Sequence, residues 1–289
     1  MQPKLSILMC AYNEEQTIMR AVAEVLEVRY PCEIELIVVD DGSTDDTAKL
    51  IAQIRDPRVV MRSHANNRGK GAALITAVSV ATGTYILPFD ADLEYAPEDI
   101  PRMLTPVLQG RTQVVYGARL FGCNTVYHSY RYAAGNRLLT LIANLLFNSY
   151  LSDLHTCLKL IPLDLFRSLG LSETGFGLDT ELTASLLRHG LRPFEVPVSY
   201  YGRSHVQGKK ITWRDALRCV WILLRIRTAR SSRPLSLSVA LAQAPAHPPQ
   251  RPRPSSEIAR DHLPEVCVSD AAGGDPVIPA PCQLQAARS

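Results

Sequence analysis

Two apolar segments of this chain each end in paired carboxylates, and this repeat constrains the fold more than any other feature. The first, VVDDGSTDDT, covers residues 38–47, and the second, LPFDADLEY, covers residues 87–95. Both read as strands that stop where the acidic residues begin. Acidic side chains at the carboxyl ends of parallel strands converge on one crevice. The repeat therefore predicts a site for a base, a ribose and a metal-bound diphosphate.

Short apolar runs alternate with helical patterns along most of the chain. Strands are predicted at residues 5–10, 34–40, 59–62, 85–89, 114–118 and 194–198, and helical periodicity lies between most of them. Strands that alternate with helices imply right-handed crossovers between parallel neighbours. We therefore expect an α/β fold, a three-layer α/β/α sandwich around a mostly parallel sheet.

The apolar pattern stops near Leu224, which predicts a folded domain over residues 1–230 and a tail over residues 231–289. The tail carries ten of the 20 prolines of the chain, with alanine and serine between them and no periodicity. Such a composition buries too little apolar surface to offset the entropy of ordering, so we expect the tail to be disordered. The formal charge of +3 is too small a bias to indicate nucleic-acid binding.

The seven cysteines lie far apart without a Cys-x-x-Cys pair, which argues against a zinc site. No secretory leader precedes Leu5, so we expect a reducing, cytoplasmic compartment. The helical pattern at residues 132–150 is more apolar than a one-sided helix requires, and it fits a lipid-facing helix and a buried core helix about equally well. Residues 212–227 mix tryptophan and leucine with arginine, which suits a membrane surface. We expect a protein that is peripheral at the cytoplasmic face of the membrane.

Asp90 and Asp92 place two hard oxygen ligands on the same side of the chain at a strand end. This spacing suits Mg²⁺ or Mn²⁺ bridged to a substrate diphosphate. An isolated Asp-x-Asp is most often only a solvated turn. Here it does not stand alone, because Asp40 and Asp41 end another predicted strand, so we interpret it as a metal site.

Four motifs in this order resemble family 2 glycosyltransferases of GT-A fold: CAYNE (residues 10–14), VVDDGSTDDT, NRGKGAAL (67–74) and DADLEY (90–95). Four later segments, GARL, DLHTCLK, GFGLDTELT and GRSHVQGKKITWRD, resemble the dolichol- and polyprenyl-phosphate mannose synthases and their bacterial relatives. The resemblance covers about residues 4–227. Chance agreement of this many ordered motifs is far less probable than agreement of any one.

The resemblance implies a role for each matched position. The positions that border the nucleobase, the ribose or the nucleotide would be Ala11, Tyr12, Glu14, Asp41, Lys70 and Asp90, with Asp40 oriented beneath the base. The metal ligands would include Asp92, with Asp90 on the ribose or the metal. The phosphates would be held by Arg119, Arg203 and Lys209 or Lys210, because guanidinium groups bind phosphate oxygens with two bonds. A solvated surface charge is the structural alternative for each basic residue.

Several positions depart from the family pattern. Mannose synthases commonly carry glutamine where Glu94 stands, and a carboxylate there either strengthens metal binding or faces solvent. The family usually has glutamate where His155 stands, and we interpret His155 as a surface histidine or a satisfied core histidine. The family often has proline where Cys10 stands and usually an aromatic residue where Leu158 stands. Tyr12 fits a pocket wall and a core position equally well.

Asp179 and Glu181 precede a helical pattern, at the place where many inverting relatives have a general base. The alternative is helix capping, with Asp179 near the amino end and Glu181 in the first turn. A base is needed when a sugar hydroxyl attacks, whereas a lipid phosphate is already an anionic nucleophile.

The resemblance implies an inverting, metal-dependent transfer of a hexose from a nucleotide sugar of the GDP-mannose or UDP-glucose type to polyprenyl phosphate. The alternative acceptor is a saccharide or another hydroxyl compound of the cell envelope. A nucleotidyltransferase is a rival class, but it normally needs a glycine-rich phosphate loop near the amino terminus, which CAYNEEQ lacks. A non-catalytic relative is the other rival, and the intact Asp-x-Asp argues against it.

Overall fold

The structure is a computed structural model, and it describes residues 3–119, 125–126, 130–202 and 213–229. Arg203, Lys209, Lys210 and the tail over residues 231–289 lie outside the described residues. The roles predicted for them stay predictions.

A seven-stranded sheet forms the centre of the described chain. Its strands are β1 (Lys4–Ala11), β2 (Glu33–Asp40), β3 (Val59–Ser63), β4 (Tyr85–Asp90), β5 (Val115–Ala118), β7 (Lys159–Pro162) and β8 (Phe194–Pro197). Their order across the sheet is β3-β2-β1-β4-β7-β5-β8. A separate two-stranded pair joins β6 (Thr125–Val126) to β9 (Tyr200–Tyr201).

The sheet is mostly parallel, as the alternating pattern predicts. The pairs β1–β2, β2–β3, β1–β4 and β5–β8 are parallel, whereas β7 runs antiparallel to both β4 and β5. Strand β7 is not predicted from the sequence, because its four residues, KLIP, are too few to show a period. The two-residue strands β6 and β9 are not predicted either. The predicted boundaries of the other six strands of the sheet lie within two residues of those observed.

The described chain contains eight α-helices. They are α1 (Ile18–Glu27), α2 (Thr47–Ile51), α3 (Lys70–Val80), α4 (Ile100–Leu108), α5 (Tyr130–Phe147), α6 (Leu163–Ser168), α7 (Gly177–Arg188) and α8 (Trp213–Thr228). A 3₁₀ turn, Pro97–Asp99, leads into α4.

Two hydrophobic clusters lie on opposite faces of the sheet. Strand side chains alternate between the faces, so Ile7 and Met9 belong to the cluster with α1 and α4, while Leu8 belongs to the cluster with α3 and α7. This arrangement confirms the three-layer α/β/α sandwich.

A third cluster holds α5, α7 and α8 together. Leu139, Ala143 and Phe147 of α5 are buried in it beside Ile222 and Leu223 of α8. Other apolar residues of α5 remain exposed. The core interpretation of residues 132–150 is therefore confirmed for one side of the helix, and the lipid-facing interpretation of the exposed side stays a prediction. None of the helices in the described part of the chain is long and apolar enough to cross a membrane.

Candidate nucleotide and metal site

The carboxyl ends of β1, β2 and β4 meet at one edge of the sheet. Strand register pairs Ala11 with Asp40 and Cys10 with Asp90, so the two acidic motifs flank the end of the first strand. The backbone N–H of Asp41 also donates to the carbonyl of Ala11 at 2.8 Å. The predicted convergence of the two motifs on one crevice is therefore present in the fold.

The loops that follow β1 and β2 bind each other through reciprocal hydrogen bonds. Asn13, which has a φ of 55°, accepts from the N–H of Thr44 at 2.8 Å, and its own N–H donates to the hydroxyl of Ser43 at 3.0 Å. The N–H of Glu14 donates to Thr47, and the carboxylate of Glu14 accepts from the hydroxyl of Thr17 at 2.9 Å. These bonds fix the backbone of the predicted base-binding loop. Tyr12 is partly buried and belongs to none of the three hydrophobic clusters of the described chain, which favours the pocket-wall interpretation over the core interpretation.

Asp41 is buried and its carboxylate orders the segment that leads to α3. It accepts from the N–H groups of Arg68 and Gly69 at 3.0 and 2.8 Å. The Nδ1 of His64 lies 2.6 Å from the same carboxylate, and the other ring nitrogen lies 2.8 Å from the hydroxyl of Thr76. A carboxylate has about four acceptor positions. Three internal donors already use the carboxylate of Asp41, so a hydrogen bond from the base would be the fourth.

Lys70 begins α3 and pairs with the first aspartate of the Asp-x-Asp motif. Its Nζ lies 2.7 and 2.9 Å from the two carboxylate oxygens of Asp90. Burial by itself lowers the pKa of this ammonium, but the charges around it, with Asp90 the largest, and the hydrogen bond to Asp90 together outweigh burial and hold the pKa well above its ordinary value. Lys70 is therefore a fixed cation at the end of β4.

Glycines allow the Lys70 loop to pack against the backbone that precedes α7. Gly69 has a φ of 94°, and a Cβ on Gly71 would lie 2.6 Å from the carbonyl oxygen of Glu173. The N–H of Ala72 donates to the carbonyl of Thr174 at 3.0 Å. Side chains at these two glycines would push Lys70 away from Asp90.

The Asp-x-Asp turn is tied to β9 through Glu94. Leu93 has a φ of 61°, and the N–H of Glu94 donates to Asp92 at 3.1 Å. The hydroxyl of Tyr200 donates to the Glu94 carboxylate at 2.6 Å, and the N–H of Tyr201 donates to its carbonyl at 2.8 Å. The carboxylate that departs from the family pattern thus has a structural partner.

Arg119 lies at the end of β5 and forms a two-bond ion pair with Asp153, which is fully buried. Its Nε and Nη2 lie 2.5 and 2.8 Å from the two oxygens of Asp153, and its guanidinium lies 4.8 Å from the ring centre of Tyr200. Burial opposes ionisation of Asp153, but Arg119 outweighs it and lowers the pKa of this carboxyl to about 2. The ion pair uses two of the five N–H donors of the guanidinium.

Asp179 lies in the first turn of α7, but its carboxylate does not cap the helix. The capping interpretation is wrong because Oδ1 instead accepts from Lys159 at 2.8 Å, and the Lys159 side chain is fully buried. Burial raises the pKa of Asp179, and the charges of Lys159 and Lys70 reverse this and lower it overall. Asp179 is therefore ionised at neutral pH. Glu181 accepts from the N–H groups of Ser172 and Glu173.

His155 has a partner for each ring nitrogen, which confirms the interpretation as a satisfied core histidine. Nδ1 lies 2.9 Å from the Asn136 side-chain oxygen, and Nε2 lies 3.0 Å from the Thr180 hydroxyl. Burial lowers the pKa of His155 to about 4, so the ring is neutral at pH 7. It links α5 to α7 through these two contacts.

The donor set at the end of β4 fits a divalent ion that is shared with a substrate. Within the described ranges, no group of three or more histidine, cysteine or acidic side chains gathers to hold an ion without other ligands. Mg²⁺ is commonly bound by one or two carboxylates, with phosphate oxygens and water as the other ligands. Asp92 and Asp90 can supply such carboxylates. Burial raises the pKa of the Cys10 thiol to about 12 and that of Cys157 well above its ordinary value, so neither thiol is an anionic ligand.

Most of the predicted site residues in the described chain lie at this edge, and several of their partners were not predicted. Ala11, Asp41, Lys70 and Asp90 meet at the ends of β1, β2 and β4. The partners that sequence patterns missed are His64, Asp153, Lys159 and Tyr200. Lys159 in β7 and Asp153 are charged residues among apolar neighbours in the sequence. Charged residues are seldom buried without a partner, so this pattern is the signal by which the two residues could have been found.

The chain resembles known glycosyltransferases in sequence. A family model described as glycosyl transferase family 2 matches residues 6–170. The low-salt glycan biosynthesis hexosyltransferase Agl6 of Haloferax volcanii is 28% identical over 221 residues, which cover 73% of this chain and 52% of that protein. The undecaprenyl-phosphate 4-deoxy-4-formamido-L-arabinose transferase of Proteus mirabilis is 33% identical over 112 residues, 37% of this chain and 34% of that protein. The chain thus spans about half or less of the length of these two relatives.

The fold is shared with a solved structure. Glucosyl-3-phosphoglycerate synthase from Mycobacterium tuberculosis, in complex with Mn²⁺, UDP and glucosyl-3-phosphoglycerate, aligns with a TM-score of 0.59 at 20% identity. The alignment covers 80% of this chain and 82% of that one. The family model matches more than half of the chain, and the strand order and the two acidic motifs agree with it, so the chain belongs to glycosyl transferase family 2.

Proposed function

We propose that this protein is an inverting, metal-dependent hexosyltransferase that moves a hexose from a nucleotide sugar to polyprenyl phosphate at a membrane surface. The donor would be of the GDP-mannose or UDP-glucose type. The observation that carries the proposal is the meeting of Asp40, Asp41 and Asp90 with Lys70 at the carboxyl ends of three adjacent strands. Ligands of open α/β sheets bind at this kind of edge.

The donor half of the site would use the residues at the ends of β1, β2 and β4. Ala11, Tyr12 and Glu14 lie in the loop after β1, beside Asp41, and would border the base and the ribose. Asp92 and Asp90 would hold Mg²⁺ or Mn²⁺, which when bound supplies positive charge against the diphosphate that departs. Lys70 adds a second cation at Asp90. Glu94 would orient the Asp-x-Asp turn through Tyr200 or complete the ligand set.

The acceptor oxygen would displace the diphosphate in line at the anomeric carbon, so that one C–O bond forms while the other breaks. Such a reaction needs alignment and charge neutralisation and no covalent intermediate with the protein. Arg119 keeps three N–H donors beyond its bonds to Asp153, and it would bind phosphate oxygens with Arg203 and Lys209 or Lys210.

The acceptor is proposed from the state of Asp179. Its carboxylate is bound to the buried ammonium of Lys159 and its pKa is lowered, which weakens it as a proton acceptor. A polyprenyl phosphate is already anionic and needs no such base. The name of the Proteus mirabilis relative, an undecaprenyl-phosphate sugar transferase, agrees with this acceptor.

A saccharide hydroxyl is the second candidate acceptor. Asp179 is ionised and lies close enough to Lys70 for each charge to influence the pKa of the other group, so it borders the same edge of the sheet. The name of the Haloferax volcanii relative, a hexosyltransferase of glycan biosynthesis, agrees with this alternative.

Asp179→Asn separates the two acceptors. Asparagine keeps an oxygen that can accept from Lys159 but removes the charge that faces this buried ammonium, so we expect a folded protein of lower stability, and single-turnover transfer to polyprenyl phosphate should fall by less than about tenfold. Removal of a general base costs about a hundredfold or more. The donor for this experiment is chosen by thermal shift with GDP-mannose and UDP-glucose, with and without Mn²⁺, because a ligand that binds only the folded state raises the melting temperature.

Asp164→Asn is the matched control, since Asp164 is an exposed acid in the first turn of α6. Circular dichroism checks that Asp179→Asn retains its helix content. A collapse of transfer in Asp179→Asn, with intact fold and intact donor binding, would select the hydroxyl acceptor. Failure of the wild-type protein to transfer from any nucleotide sugar would favour a non-catalytic relative.

A further inference from the structure

Helix α5 exposes a stripe of leucines on the side opposite its buried residues. Leu138, Leu141 and Leu145 are 58%, 52% and 74% exposed and recur at helical spacing. Leu139 and Ala143 are buried on the other side, in the cluster shared with α7 and α8. The exposed leucines therefore contribute nothing to the core of the domain.

Helix α8 repeats this arrangement. Leu217, Trp221 and Leu224 are 60%, 55% and 46% exposed, whereas Ile222 and Leu223 are fully buried. Helices α5 and α8 pack against each other through their buried sides, and each keeps its apolar stripe exposed. We call the six exposed side chains of the two helices the α5/α8 apolar face. Exposed apolar patches of this kind mark sites that bind another protein or a membrane.

The outward side of α8 is held in place by buried acids. Arg225 pairs with Glu181 at 2.9 Å and with Glu173 at 3.5 Å, and its guanidinium lies 4.8 Å from the ring centre of Trp221. Arg218 pairs with Glu173 at 2.8 Å. Both glutamates are almost fully buried, so these ion pairs fix the orientation of α8 and keep Trp221 outward.

The charge around the face decides between a lipid surface and a second copy of the chain. Helix α5 contains two arginines and no acid, and α8 contains four arginines and one aspartate, Asp215. Even after Glu173 and Glu181 are counted against Arg218 and Arg225, the six arginines and Asp215 leave the two helices with a formal charge of +3, so two copies that met through them would bring positive charge against positive charge. An anionic lipid surface carries the opposite charge, and leucine, tryptophan and arginine are typical of helices that lie in the membrane interface.

We propose that the α5/α8 apolar face is the surface by which this protein lies on a membrane of anionic lipid. This proposal deepens the proposed function, because it specifies how the site would reach an acceptor that is anchored in a bilayer. Only this link to the acceptor rests on the proposed function. Leu145 and Trp221 would enter the interface, while the net positive charge of the two helices would attract the anionic phosphate groups.

Vesicle flotation tests the proposal with the full chain. The probes are phosphatidylcholine vesicles with and without phosphatidylglycerol, at low and high salt. The wild type should float with the anionic vesicles at low salt and lose binding as salt screens the charges. Leu145→Glu with Trp221→Glu should reduce the bound fraction about tenfold or more, because each change places a charge at the apolar interface.

Leu108→Glu is the matched control, since Leu108 is a leucine of α4 that is 42% exposed and belongs to a different helix. It should float like the wild type, and the melting temperatures of all variants should agree within a few degrees, because the substituted side chains are exposed. Equal loss of flotation in Leu108→Glu, equal flotation of the double variant, or no flotation of the wild type would overturn the proposal. Light scattering that finds a wild-type dimer and a monomeric double variant would assign the face to a second copy.

The outcome for the face is independent of the outcome for the proposed function. These vesicles contain no polyprenyl phosphate, and donor binding is measured separately by thermal shift. Flotation without transfer to polyprenyl phosphate would retain the face and reject the proposed acceptor. Transfer to a detergent-solubilised acceptor without flotation would reject the face and retain the function.

Discussion

Asp90 and Asp92 are separated by one residue but have different surroundings. Asp90 pairs with Lys70 through both of its oxygens, whereas Asp92 accepts the N–H of Glu94 within the turn. The fixed ammonium already neutralises Asp90. Asp92 is therefore the carboxylate on which we expect metal binding to depend most.

Asp92→Asn should abolish transfer while the free energy of unfolding changes by less than about 1 kcal/mol, because a half-exposed turn carboxylate contributes little to packing. The measurements are transfer at several Mn²⁺ concentrations, Mn²⁺ binding by electron paramagnetic resonance, and thermal melting. Asp164→Asn again serves as the exposed control. Wild-type turnover or wild-type Mn²⁺ affinity in Asp92→Asn would remove Asp92 from the metal site.

Glu94 and Tyr200 offer a second test of the same turn. The Tyr200 hydroxyl donates to Glu94 at 2.6 Å, so Tyr200→Phe should disturb the Asp-x-Asp turn and cost about 1–2 kcal/mol of folding stability. Glu94→Gln keeps an oxygen acceptor, and we expect it to keep most of the stability and the Mn²⁺ affinity. A large loss of Mn²⁺ affinity in Glu94→Gln alone would instead identify Glu94 as a metal ligand.

The three central strands are connected at the opposite, amino-terminal edge of the sheet by Glu35 of β2. Its carboxylate accepts from the hydroxyl of Ser6 at 2.5 Å and from the N–H of Thr82 at 2.7 Å, and it pairs with Lys4 at 3.0 Å. Burial raises the pKa of Glu35, but these donors outweigh burial and lower the pKa to about 2. Elements that are far apart in sequence are thus joined through one charge.

This pKa shift predicts how stability depends on pH. A carboxyl whose pKa is lowered on folding stabilises the fold above its unfolded pKa and loses this effect as pH falls through the folded value. The contribution of Glu35 should therefore be complete above pH 4.5 and disappear toward pH 2. Urea unfolding should show Glu35→Gln to be less stable by about 1–3 kcal/mol at neutral pH, with a smaller difference at about pH 3. A difference that does not change with pH would contradict this account.

The predicted tail gives a prediction for the whole chain. Residues 231–289 are rich in proline and alanine, so their removal should leave the melting temperature and the transfer rate nearly unchanged. Differential scanning calorimetry of a chain that ends at Arg230 measures this. A melting temperature lower by several degrees would mean that the tail contributes to the fold.

Local patterns were sufficient to predict the order of the central elements and the edge of the sheet where chemistry is expected. Period-two apolar runs and helical periodicity depend on neighbours within a few residues, and the positions of Asp40 and Asp90 follow from where two strands end. The motifs also identified the family. The short antiparallel strand β7 escaped because four residues carry no readable period.

Long-range contacts determined what each predicted site residue does in the fold. Lys70 pairs with Asp90, Arg119 with Asp153, and Asp179 with Lys159, across sequence separations of 20 to 34 residues. A sequence pattern specifies the chemical type of a side chain, but burial and charge partners set its ionisation, and both arise only when distant segments pack together. The same reason applies to α5, whose apolar residues divide between a buried side and an exposed side only once α7 and α8 are in place.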